Sequence, residues 1–168
     1  MTKLLLTLHV LAAIIAVGPV TVAASMFGPA ARRAAERPDD ARARATVALL
    51  HRVCRVYAGV GVAVPVLGLA TAGAMGVMGD AWVIASLVLT MLAAASLIVF
   101  VLPGQEQLVE GAEGAEGVEG VEGGAGGGGV ATVAAATGRL AMTTGIFNLL
   151  WVTVTVLMIV RPGSTTGA

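Results

Sequence analysis

The sequence predicts an all-α fold, an integral membrane bundle of four transmembrane helices with its N-terminus and C-terminus outside. Three observations carry that expectation. Hydrophobic residues make up 57% of the 168 residues and charged residues 12%, about half the charge expected of a water-soluble domain. Four apolar runs, residues 4–26, 56–78, 81–102 and 140–160, contain no Asp, Glu, Lys or Arg. Each reaches the roughly 20 residues that a helix needs to cross a bilayer. The basic residues gather in one short connection, which the positive-inside rule places in the cytoplasm.

The same composition excludes other classes. Ten Lys and Arg balance ten Asp and Glu, so no net basic field exists to attract nucleic acid. The single cysteine, Cys54, excludes a disulfide framework and a multi-cysteine metal cluster.

The first span, residues 4–26, is interrupted by Pro19, which frees the carbonyl of Ile15. Lys3, the apolar run and the small residues near Val22 also fit a cleavable signal peptide. Cleavage would leave the arginine-rich segment outside, against the positive-inside rule, so a retained span is the favoured reading. Residues 27–55 form an Arg-rich cytoplasmic loop with helical extensions. Seven arginines face Glu36, Asp39 and Asp40 there, a net +4. Residues 30–36 favour continuation of the first helix, Pro38 breaks it, and Asp39 or Asp40 caps a second helix running into span two. The loop reads first as a topology determinant. Its functional alternative is a patch for anionic lipid headgroups.

Span two, residues 56–78, carries Gly61, Pro65, Gly68, Ala72 and Gly76 along one face. Ala12 and Ala16, and Ala93 and Ala94, offer facing surfaces for close helix approach. Pro65 frees the carbonyl of Gly61. A turn at Gly79 and Asp80 leads into span three, with Trp82 as an interfacial anchor at that edge and Tyr57 at the other. Residues 104–130 form a Glu/Gly-rich cytoplasmic loop in which Glu110, Glu113, Glu116, Glu119 and Glu122 are each followed by glycine. Such a tract cannot bury apolar area and is expected to be disordered. Span four, residues 140–160, holds Asn148, the sole amide side chain within the spans. It is expected to face the bundle interior and donate to a neighbouring backbone carbonyl. A midplane substrate or ion site is the alternative.

His9 is the titratable residue clearly inside a span, and such residues are functional candidates by default. Thr71, Ser86 and Thr155 fall at comparable depth and offer hydroxyl partners. The competing reading makes His9 a haem or metal ligand. His51, flanked by Arg52 and Arg55, reads as a residue at headgroup level, and Cys54 as a buried or lipid-facing thiol.

Leu8, His9, Val10, Leu11, Ala12 and Ala13, followed by Gly18, resemble the opening helix of a bacterial four-helix integral membrane family of unknown function. That opening is distantly similar to those of CopD-type copper-resistance membrane domains and HemJ-type protoporphyrinogen oxidases. The likeness covers one helix well and the four-span layout loosely. It implies haem binding at His9. It also implies a copper option, with Met75, Met78 and Met158 on the same side as His9 and thioethers and imidazole suited to Cu(I). His9 and His51 should lie about 25 Å or more apart along the membrane normal, so they cannot share one iron. No basic residue near His9 is evident for porphyrin carboxylates, and the Glu/Gly tract matches nothing in these families.

No phosphate-binding glycine loop, His-Glu-x-x-His or nucleophile elbow occurs. The expectation is therefore a multi-pass protein of the cell membrane, partnered by the lipid bilayer, with no catalytic activity of its own. The alternatives are a haem-associated redox membrane protein using His9, a small transporter or copper-handling protein, and a membrane scaffold or assembly subunit.

Overall fold

A computed structural model describes residues 2–114 and 126–163. Helix α1 spans Thr2–Glu36, α2 Ala41–Gly61, α3 Ala63–Met75, α4 Ala81–Ser96, α5 Leu102–Gly114 and α6 Gly126–Val160. No strand occurs among the described residues. Four rods, Thr2–Glu36, Ala41–Met75, Ala81–Ala112 and Val130–Val160, are long and apolar enough to cross a membrane.

Helix α1 continues through Pro19 and Pro29 and stops at Glu36, just before Pro38. Asp40 caps α2, its Oδ1 accepting from the amides of Arg42 at 3.0 Å and Ala43 at 3.2 Å. Arg44 donates across the same turn to the carbonyl of Pro38. The second rod is broken between α2 and α3, where the Val62 amide bonds the Gly59 carbonyl at 3.2 Å. The break lies one turn ahead of Pro65, whose missing N–H removes the usual bond to Gly61. Gly76 ends α3 in the left-handed region, φ 72°. It is thus a helix cap, not part of the packing face that the glycine spacing suggested.

The third rod contains a π-turn at Leu97–Val101, with the Leu102 amide reaching the Leu97 carbonyl. Its buried row runs Ala93, Leu97, Val101, Gln105, three successive steps of four residues. An ideal α-helix would rotate that row off its face by about 120°. The one wide turn absorbs the excess, and it also accommodates Pro103. The chain is helical over Leu102–Gly114, where composition suggested a disordered loop from residue 104. Gln105, fully buried, ties that helix to the bundle. Residues 115–125 of the Glu/Gly run lie outside the described residues.

Around the bundle, α1 packs on the α2/α3 rod and on α6, and α6 packs on α4. Helix α5 meets α2 and closes the ring at the end bearing the arginines. At the opposite end, where α1 begins and α6 ends, α3 and α4 touch chiefly near their connecting turn, where Ala72 packs with Trp82 and Val83. The bundle is therefore closed at the arginine end and parted at the terminal end.

Small and polar residues share the interior with a few large apolar ones, Phe27, Val47 and Phe147 among them. Ala16, Ala23, Ala24, Ala31, Ser86, Thr137 and Gln105 are buried, while Ile14, Leu149 and Ile159 are more than half exposed. No more than 28% of the most apolar stretch of any rod is buried. Lipid provides no hydrophobic drive to hide large side chains, and small residues let helices approach closely. At Gly28 a β-carbon would lie 3.8 Å from Cβ of Thr137, which shows how near α1 runs to α6.

Candidate functional site

The parted end forms a half-open cavity of about 860 Å3 between α1, α3, α4 and α6. Its walls are mostly apolar, with His9, Thr71, Thr90, Trp151 and Thr155 among them and Arg161 at the chain's exit from α6. A mainly hydrophobic pocket of roughly 300–1,000 Å3 with a few polar groups is the usual form of a small-molecule site.

His9 is buried, and its Nδ1 lies 3.0 Å from the carbonyl oxygen of Val64. A carbonyl only accepts, so Nδ1 carries the hydrogen and donates. In the neutral ring this leaves the Nε2 lone pair as the free position. Nε2 has no hydrogen bond among the described residues. The ring fits against Gly68, where a β-carbon would stand 3.0 Å from Cε1. Local sequence explains the arrangement. Pro65 loosens the second rod next to Val64, and Gly68 one turn later leaves room for the imidazole.

The hydroxyls expected to partner His9 do otherwise. Thr71 donates to Leu67 O at 2.7 Å, and Thr155 to Trp151 O at 2.9 Å, each within its own helix. Ser86 is fully buried and its Oγ has no partner among the described residues. Met75 and Met158 line the cavity with His9, whereas Met78 is 49% exposed and does not line it. No group of three or more His, Cys, Asp or Glu suited to a metal ion exists among the described residues.

Asn148 differs from expectation. Its Oδ1 is buried without a partner, no donation to a proline-freed carbonyl is formed among the described residues, and it does not line the cavity. Thr144 and Trp151, on the same face of α6, also hold buried polar atoms with no partner among the described residues.

Two features escaped the sequence reading. Arg161 lines the cavity with its guanidinium carbon 5.6 Å from the centroid of Trp82, supplying a basic group on the cavity shared with His9. Trp82 is only 7% exposed, covered at the cavity edge rather than anchored outward, and its Nε1–H donates to Asp80 Oδ2 at 3.0 Å. At the arginine end, Gln105 joins two residues read separately. His51 Nδ1 lies 3.3 Å from Gln105 Oε1, and Gln105 Nε2 donates to Cys54 Sγ at 3.5 Å. All three are buried, so His51 clamps helices together instead of meeting headgroups. Val64, the partner of His9, lies about 20 Å along the helix from His51, so the two histidines serve separate ends.

Comparison with protein-family models, with curated proteins and with solved structures finds no match for this chain.

Proposed function

We propose that this chain is a multi-pass protein of the cell membrane, with the arginine end cytoplasmic, that works by holding a ligand in the cavity at its terminal end. The observation that carries this reading is His9, locked by Val64 on Nδ1, with Nε2 free of hydrogen bonds among the described residues, on the wall of a mostly apolar pocket. Nothing in the arrangement calls for catalysis by the chain alone: the cavity walls carry no carboxylate and no cysteine.

Haem is the first of the specific alternatives and is carried by His9, although its two carboxylates would meet a single cation, Arg161, on the cavity. An imidazole whose second nitrogen donates to a backbone carbonyl is the usual arrangement of a histidine ligand to a metal. Met75 and Met158 place thioethers on the same walls, and Arg161 places a cation at the rim for carboxylates. A bound haem would supply one-electron chemistry. The chain's own residues would orient it, exclude water and pair its charges. Copper handling draws support from His9, Met75 and Met158, but Met78 lies off the cavity wall. A transporter using Asn148 draws less, because the cavity does not reach that residue. The scaffold alternative would use the small-residue faces, and many of these, Ala16, Ala72 and Ala93 among them, are already buried.

Anionic headgroups are the proposed partners of the arginine end. Arg44 and Arg139 border a groove of about 990 Å3 there, with Leu108 and Leu140 beneath.

A visible spectrum of protein purified from haem-replete cells tests the haem reading. A Soret band that disappears in His9→Ala is expected. A colourless preparation removes haem and leaves the cavity to another ligand.

A further inference from the structure

The backbone of Arg161 is unusual. It adopts φ 46°, the left-handed conformation that ends many helices and normally falls to glycine. Its amide still bonds Leu157 O at 2.9 Å. The turn folds the side chain back along the bundle, so that Nε donates to Met158 O at 3.3 Å and the guanidinium lies over Trp82. Trp82 is itself held by Asp80. No ion pair to Arg161 is formed among the described residues, and Arg161 is the sole formal charge on a cavity otherwise lined by apolar, hydroxyl, imidazole and indole groups.

An arginine held over an apolar pocket, at the level where the rods end, matches a ligand with one anionic end and a long apolar body. A single guanidinium balances the single charge of a carboxylate and presents the forked geometry that a carboxylate fits. A phosphate monoester carries up to two charges and would call for a second cation. The singly charged phosphodiesters of the surrounding lipid are present throughout a titration in lipid and set the background against which a carboxylate must compete. The parted α3 and α4 offer the apolar body a sideways route from lipid.

We propose that the cavity binds a long-chain carboxylate amphiphile, that Arg161 recognises its head, and that the chain enters between α3 and α4. This rests on the reading of the cavity as a ligand site and takes an amphiphile, in place of haem, as its occupant. The test uses the two tryptophans, Trp82 and Trp151, which both line the cavity. The full chain in lipid nanodiscs is titrated with dibromostearic acid and, separately, with dibromostearyl alcohol, and tryptophan quenching is followed. Saturable quenching is expected, with the acid about tenfold tighter than the alcohol, the size of one charge-assisted pair. Arg161→Gln should bring the acid to the affinity of the alcohol, which itself stays unchanged. Arg161→Lys should retain a preference for the acid, which guards against a folding defect in the glutamine variant. Ala13→Phe, which narrows the cavity from the α1 wall, should remove saturable binding of either probe. Equal binding of acid and alcohol to the unaltered protein would overturn the head-recognition proposal while leaving the cavity reading intact. Quenching that never saturates and is indifferent to Ala13→Phe would overturn both.

Discussion

Gly68 is the recess that His9 fills. A β-carbon at residue 68 would stand 3.0 Å from Cε1, 3.4 Å from Nδ1 and 3.6 Å from Nε2 of the imidazole. The ring cannot retreat without giving up its 3.0 Å bond to Val64.

Gly68→Ala should therefore displace His9. Overpacking of this kind costs about 1–3 kcal/mol, seen as earlier thermal unfolding in detergent, together with shifted ring resonances of His9. In a His9→Ala background the same change should cost little, because the obstacle is gone. Unchanged resonances in Gly68→Ala would contradict the recess.

Gln105 is the joint between α5 and α2. Gln105→Leu keeps the bulk but leaves His51 Nδ1 and Cys54 Sγ without the partner each now has. A loss of about 1–3 kcal/mol is expected for the stranded polar group. Faster alkylation of Cys54, buried in the intact protein, should accompany it as α5 loosens.

Asn148→Leu should be neutral or stabilising by up to about 1 kcal/mol, because a buried acceptor without a partner costs energy and its removal breaks no bond. A clear loss of stability on thermal unfolding would mean that Oδ1 is satisfied by an internal water.

Sidedness is tested with cysteines placed at the two ends in a Cys54→Ser background. Asp39→Cys should react with a membrane-impermeant maleimide only after cells are permeabilised, and Gly79→Cys should react in intact cells. The reverse pattern would invert the topology proposed from the arginines.

The rods were legible because hydropathy and length are properties of single segments. Pro38 and Asp40 mark a helix stop and start in the sequence and in the structure alike. The site was only half legible. His9 stood out as an intramembrane imidazole, yet its partner is a backbone carbonyl next to Pro65, and no residue type announces that. Asn148 drew attention by its chemistry, but rotation about so uniformly apolar a helix decides whether an amide meets a partner, and composition does not fix rotation. Arg161 follows the last apolar run with no motif beside it. Its left-handed backbone, which no local motif signals at an arginine, turns it onto Trp82. Gln105 was hidden by the Glu/Gly run that follows it, and only the four-residue steps from Ala93 to Val101 foreshadow its inward aim.

Those steps make the approach to α5 tolerant of losing a residue and intolerant of gaining one. Deleting one residue from Leu97–Val101 would convert the wide turn to ordinary helix, and the rotation removed, about 100°, would nearly cancel the drift of about 120°, leaving Gln105 within about 20° of its present face and still beside His51. Inserting one more residue there would demand a second wide turn, or swing Gln105 by about 100° away from His51 and carry Gly104 off the side of Leu140 that it now approaches. The one wide turn has already taken up the slack that the spacing from Ala93 to Gln105 allows.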